Sequence, residues 1–238
     1  MPSSGGLLEL TTSEETRVTN GVDERGIPLP PRSWQYSERL IEGLAAAAQI
    51  HRDQVRKGTT IPYVSHLLGT CAIAFEYGAN EDEAIAALLH DAIEDGQPTE
   101  AARATVWGFG EEVGRIVEGC IDADTHPKPP WRERKEAYLA GLAAKDRSIL
   151  LVSASDKLHN ARSIVRDLRV VGEDLWGRFN APKDQTLWYY RSLVNGYRGN
   201  PAHTRALIDE LDRTVTEMEA LAEGRGGAGW NGSSSLTK

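Results

Sequence analysis

Glu81-Asp82-Glu83-Ala84-Ile85-Ala86-Ala87-Leu88-Leu89-His90-Asp91-Ala92-Ile93-Glu94-Asp95 is the stretch that decides the fold class. Ile85, Leu88, Leu89 and Ala92 recur at spacings of three and four, which places them on one face of a helix over residues 81–94. Gly96 and Pro98 then stop that helix. His90, Asp91, Glu94 and Asp95 fall on the other side, within less than half of the circumference. Three carboxylates in a last turn oppose the partly negative carboxyl end of the helix macrodipole. They also repel one another at spacings of three and four. A cation among them removes both penalties. The plain alternative is a solvated polar face.

Working outward, the same period recurs over residues 37–55, 66–77, 111–121, 131–144, 147–169, 185–197 and 201–223. Ser65 stands where a cap for the second of these is expected, and Gly58 and Gly78 close two of them. The longest segment carries Leu151, Ala154, Leu158, Ala161, Val165 and Leu168 as its apolar stripe. No segment alternates with period two. The expectation is an all-α, single-domain helical bundle over residues 33–222. Residues 1–32 include Ile27-Pro28-Leu29-Pro30-Pro31, which cannot be helical, and are expected to form a flexible arm. Residues 223–238 are rich in Gly and Ser and are expected to form a disordered tail.

The chain has 238 residues, enough for one sizeable core. Its formal net charge is −8, which argues against a nucleic-acid partner but not against a small anionic substrate. No apolar run approaches a membrane span and no secretory signal opens the chain, so a cytoplasmic protein without a membrane partner is expected. Two cysteines, Cys71 and Cys120, each in an apolar helical context, are expected as buried thiols rather than a bridge. The oligomeric state is left open by the sequence.

Further chemistry-bearing groups lie elsewhere. Ser153, Asp156, Asn160 and Ser163 share one arc of the long helix, away from its apolar stripe. Small polar side chains there suit a ligand approaching the backbone, or simply face water. His66 falls in the first turn of its helix, where a neutral imidazole is easily kept; a structural His is the plain alternative. Arg52, Arg56 and Lys57 complement a helix carboxyl end and are equally able to steer phosphates. His51, His126, His159 and His203 have no supporting context and receive no role. There is no Walker loop, dinucleotide-binding Gly pattern, Cys-x-x-Cys pair or nucleophile elbow, so kinase, hydride-transfer and serine-hydrolase chemistry have no support.

Together, His66, His90-Asp91 and Asp156 resemble the H…HD…D pattern of the HD superfamily of metal-dependent phosphohydrolases. Three longer stretches sharpen this. Arg56-Lys57-Gly58-Thr59-Thr60-Ile61-Pro62-Tyr63-Val64-Ser65-His66, Ala87-Leu88-Leu89-His90-Asp91-Ala92-Ile93-Glu94-Asp95 and Ser155-Asp156-Lys157-Leu158-His159-Asn160 are similar to segments of guanosine polyphosphate hydrolases. Those are the hydrolase domains of the stringent-response enzymes and the small alarmone hydrolases. The resemblance covers roughly residues 35–200, and no synthetase domain of the long members is expected beside it.

The resemblance implies an HD-type helical bundle. It implies His66, His90, Asp91 and Asp156 as ligands of Mn2+ or another divalent ion such as Fe2+. Glu94 and Asp95 match the acidic pair that helps activate water. Arg56 and Lys57 match cationic positions near the nucleotide, Asn160 a substrate-contacting Asn and Ser163 a position where a hydroxyl is common, with Tyr63 as a pocket wall; Lys157 is a further cation expected to hold phosphate oxygens. The implied reaction removes the 3′-pyrophosphate from (p)ppGpp. The alternatives are an HD phosphohydrolase acting on NADPH, a nucleoside monophosphate or another phosphate ester, and a non-catalytic nucleotide-sensing module. Residues 119–124, residues 127–134 and the aromatic set Trp176, Phe179, Trp188, Tyr189 and Tyr190 depart from the best-known alarmone hydrolases, which bears on nucleotide specificity.

Overall fold

The structure, a computed structural model, describes residues 37–96, 98–122 and 127–225. The expected arm over residues 1–32, most of the expected tail, and His126 lie outside these. Among the described residues the chain forms ten α-helices and two 3-10 segments, and the one pairing of extended backbone is an isolated bridge between Val55 and Pro62. The fold is all-α. No helix of the described residues is long and apolar enough to cross a membrane.

Helix α1 (Glu38–Ile50) starts where the Ser37 hydroxyl accepts from the Arg39 amide. The Ser37 hydroxyl and amide both donate to Glu81 Oε1, at 2.8 and 2.9 Å, which ties this entry to the third helix. The chain then folds back over residues 54–63. Arg56 N donates to Ile61 O and Tyr63 N to Gln54 O, at 2.8 and 2.9 Å, with Gly58 turning at φ +70°. Helix α2 (Val64–Glu76) follows, and Tyr63 rather than Ser65 stands at its cap position, without a capping side-chain bond.

Helix α3 (Glu81–Leu89) is fixed by a capping box: Asn80 Oδ1 accepts from Glu83 N, and Glu83 Oε2 accepts from Asn80 N. Every residue from Glu83 to Leu89 is buried, because α1, α2 and two later helices surround it. Ile85 and Leu88 therefore do not define a single apolar face. Nor does the helix continue to residue 94. It ends at Leu89, Asp91 takes φ −96° and ψ −2°, and a new short turn, α4 (Ala92–Asp95), begins. That bridge-region backbone re-aims the polar residues, and it lies within the excursions common at functional sites.

Helix α5 (Thr99–Gly108) has no counterpart among the expected segments; it buries only Ala102 and Val106, too short a stripe to stand out. Helix α6 (Glu111–Cys120) follows Gly110, at φ +117°. Helix α7 (Trp131–Gly141) passes into a 3-10 turn, Leu142–Ala144. Helix α8 (Arg147–Val171) begins where Asp146 accepts from Ile149 N and ends at Gly172, φ +59°. It is the spine of the molecule, packed on α2, α3, α6 and the last helix. A second 3-10 segment (Gly172–Arg178), α9 (Lys183–Gly199) and α10 (Arg205–Ala222) complete the bundle. Cys71 and Cys120 are free thiols; Cys71 is buried, Cys120 half-buried.

Candidate metal centre

Three helices deliver the site. His66 comes from the first turn of α2, His90 and Asp91 from the break between α3 and α4, and Asp156 from the middle of α8. One donor atom each of His66, His90 and Asp156 lies within 4.8 Å of the others. His66 Nε2 is 3.1 Å from Asp156 Oδ1 and 3.5 Å from Asp91 Oδ2. His90 Nε2 is 3.0 Å from Asp91 Oδ2 and 3.5 Å from Asp156 Oδ1.

The protonation logic of this cluster matters. His90 Nδ1 donates to Ala87 O at 2.9 Å, so a neutral ring carries its lone pair on Nε2. That Nε2 is fully buried and has no hydrogen-bond partner. A lone pair left unpaired beside two carboxylates is costly. A divalent cation would answer both imidazoles and the Asp156 carboxylate at once, with Asp91 Oδ2 3.0 and 3.5 Å from the two ring nitrogens. Imidazole nitrogens and carboxylate oxygen form a mixed donor set suited to a first-row divalent ion rather than a thiolate-seeking one. The residues fit such an ion.

Neighbours hold the carboxylates ionised. Burial pushes the Asp91 carboxyl up, but the imidazoles of His90 and His66 beside it outweigh this and hold it well below the usual range. Burial likewise opposes ionisation of Asp156, and the Lys157 ammonium, with His66 and His90, outweighs it. Lys157 Nζ donates to Asp156 Oδ2 at 2.6 Å, and Asn160 Nδ2 donates to Oδ1 at 2.5 Å. Tyr63 OH donates to Asp91 Oδ2 at 2.6 Å.

The acidic pair sits beside the cluster in two different environments. Glu94 Oε1 accepts from Asp122 N at 2.8 Å and Oε2 from Lys128 Nζ at 3.2 Å. Burial, reinforced by the Asp122 charge, raises its carboxyl above the ordinary value. Asp95 Oδ2 accepts from Gln54 Nε2 at 3.0 Å; burial and the Asp91 charge raise this carboxyl too.

A cavity of about 410 Å³ opens next to the cluster. Of the residues singled out in the sequence, Arg56, Lys57, Tyr63, Asp95, Asn160 and Ser163 line it. Arg56 donates to Asn160 Oδ1 at 2.6 Å, and Lys57 Nζ to Asn180 Oδ1 at 2.5 Å. Lys157 does not line the cavity. Its ammonium lies under Asp156, because residue 157 turns off the polar arc toward α7 and α9, 5.6 Å from the Tyr138 ring. Ser153 is also drawn away; it is buried between the hydroxyls of Tyr138 and Tyr197.

Several partners carry no signal in the notion of a lone His or a solvated charge. His51 is buried, stacks on Tyr63 at 5.0 Å and bonds through Nδ1 to Gln54 Oε1 at 2.6 Å, so that Gln54 bridges it to Asp95. His159 Nδ1 lies 2.8 Å from His66 Nδ1. Its spacing of three from Asp156 was the available clue, since residues three apart share a helix face. Asp122 and Lys128 come from the stretches that depart from the alarmone hydrolase pattern, yet both hold Glu94. Arg166, Arg178, Phe179 and Tyr190 add to the cavity wall.

The HD domain family matches residues 43–184, which hold the whole cluster and most of the cavity wall. The chain belongs to the HD domain family. Within it, this HD protein is 35% identical over 178 residues to guanosine-3′,5′-bis(diphosphate) 3′-pyrophosphohydrolase MESH1 of Danio rerio, covering 72% of this chain and 91% of that one. It is 30% identical over 175 residues to MESH1 of Xenopus tropicalis, covering 72% and 92%. A solved structure described as a metazoan ortholog of SpoT that hydrolyses ppGpp superposes with a TM-score of 0.61 at 26% identity, covering 76% of this chain and 97% of that one.

Proposed function

We propose that this HD protein is a divalent-metal-dependent hydrolase that removes the 3′-pyrophosphate of guanosine 3′,5′-bis(diphosphate). The observation that carries the reading is the buried, unpartnered His90 Nε2 facing His66, Asp91 and Asp156 at the edge of a cavity lined by Arg56 and Lys57. The MESH1 relatives and the superposed SpoT ortholog support this substrate class over NADPH or a nucleoside monophosphate.

His66, His90, Asp91 and Asp156 are the ligands in this reading, and Mn2+ is the ion it favours. The ion supplies Lewis acidity toward phosphorus and lowers the pKa of water. Glu94 is the general base: its carboxyl is half-buried, raised above its ordinary value by burial and the Asp122 charge, and held in place by Asp122 N and Lys128. Asp95, steadied by Gln54, borders the cavity and orients the attacking water. Arg56 and Lys57 neutralise the non-bridging oxygens. Their present partners, Asn160 and Asn180, are neutral amides that yield readily to a phosphate. Lys157 acts through Asp156 rather than on substrate.

The test is a panel of ppGpp, pppGpp, NADPH and nucleoside monophosphates incubated with the purified protein and Mn2+, followed by chromatography. Pyrophosphate with GDP or GTP is the expected outcome. Inorganic phosphate from other members of the panel alone would replace the substrate assignment. Binding without turnover would make the protein a sensor.

A further inference from the structure

His66 presents its two nitrogens to different neighbours. Nε2 faces the carboxylates of Asp156 and Asp91 at 3.1 and 3.5 Å. Nδ1 faces His159 Nδ1 at 2.8 Å. Two ring nitrogens at that separation share one proton, since two protons would collide and none would oppose two lone pairs. His90 solves the same problem differently, through the carbonyl of Ala87 in its own helix. For His66 the acceptor comes from another helix.

The backbone makes room for it. Gly69 lies three residues beyond His66 on α2. A Cβ there would stand 2.2 Å from His159 Cδ2 and 2.3 Å from Nε2, a distance no side chain tolerates. Gly69 does not adopt positive φ, so no backbone conformation calls for glycine here. What the position needs is empty space for the ring. The two imidazoles then tilt together with centroids 4.8 Å apart. His159 does not line the cavity, so it has no direct route to substrate.

We propose that His159 is a positioning residue that accepts the Nδ1 proton of His66, thereby fixing the tautomer and ring plane that point Nε2 at the metal, and that Gly69 is the notch that admits it. The inference rests on the proposed ligand set His66, His90, Asp91 and Asp156. Partners that orient a ligating imidazole in this way typically change metal affinity by about 10–100-fold when removed.

The experiment combines Mn2+ titration by EPR with nitrogen-15 NMR of the Zn2+-loaded wild type, Zn2+ serving as a diamagnetic probe. The expected spectrum has a proton on Nδ1 of His66 and none on Nδ1 of His159; the reverse pattern overturns the proposal. His159→Leu and Gly69→Ala are each expected to weaken Mn2+ binding by about 10-fold or more. His159→Gln, which restores an acceptor oxygen, is expected to recover part of that loss. Wild-type Mn2+ affinity in His159→Leu overturns this inference and leaves the ligand set standing. No Mn2+ binding by the wild type overturns both. If His159→Leu fails to fold, the wild-type spectrum still decides.

Discussion

Single side chains here are defined by what they leave each other to do. Asp91 touches both imidazoles and is buttressed by Tyr63, so Asp91→Ala is expected to lose Mn2+ and turnover together. Metal analysis after gel filtration checks this; full metal content with full turnover would remove Asp91 from the ligand set. Glu94 differs in kind. It contacts Asp122 and Lys128 rather than the imidazoles, so Glu94→Gln is expected to retain metal and lose roughly 10²-fold or more in kcat, the scale of a missing general base. Asp122 gives the pH case. Burial raises its carboxyl, but Lys135 and Arg134 outweigh it, so its folded pKa is depressed. A depressed acid stabilises the fold fully above its unfolded pKa and loses that contribution as pH falls through the folded value. Asp122→Asn is therefore expected to cost roughly 3 kcal/mol at pH 7, as for a broken buried ion pair. Urea midpoints should show the gap closing below the ordinary Asp pKa of about 3.9. A gap unchanged down to pH 3 would count against the pairing.

At the level of elements, α3 shows how local signals and tertiary packing divide the work. Asn80→Ala removes the side-chain half of the capping box, the Asn80 Oδ1 acceptor for Glu83 N, leaves the Asn80 amide bond to Glu83 in place, and is expected to lower stability by about 1 kcal/mol in urea denaturation. The effect on turnover should be small, because Glu83–Leu89 are held by packing on every side and keep His90 in place. A large loss of activity without a stability change would mean that the cap positions the site directly. The same helix marks where sequence reading succeeds and stops. Long, strongly periodic α8 is anticipated to within two residues, since its stripe of Leu151, Leu158 and Leu168 faces a continuous core. The break at His90–Asp91 is not, because Ala92 and Ile93 extend a good helical pattern and the kink arises from packing around the cluster. Short α5 gives too few buried positions to register. The site is legible to the same degree: residues whose type alone suggests a ligand or base stand out. His159, Gln54 and the amide of Asp122 act on His66, Asp95 and Glu94, partners distant in sequence; the spacing of three from Asp156 puts His159 on the right helix face but does not name His66.

Over the whole molecule, two opposing features meet at the centre. The chain carries a net charge of −8, and its core holds two ionised carboxylates against two imidazoles, where α2, α3 and α8 converge. Without a cation, that centre keeps His90 Nε2 unpartnered and relies on Lys157 and Asn160 to hold Asp156. An ion bound only by the folded state stabilises it by mass action, about 2.7 kcal/mol at a free concentration one hundred times Kd. For a chain of this size that corresponds to a Tm increase of roughly 5–10 °C. The increase should keep growing with the logarithm of free Mn2+ with the slope of one bound ion, because a single centre takes it up. Asp156→Asn keeps the shape of the side chain and removes the charge that faces both rings, so its melting temperature should be nearly independent of Mn2+. Differential scanning calorimetry of both proteins across a Mn2+ series checks this. An equal rise in the variant would place the stabilising ion elsewhere, and the convergence of His66, His90, Asp91 and Asp156 would then be a polar core rather than a metal centre.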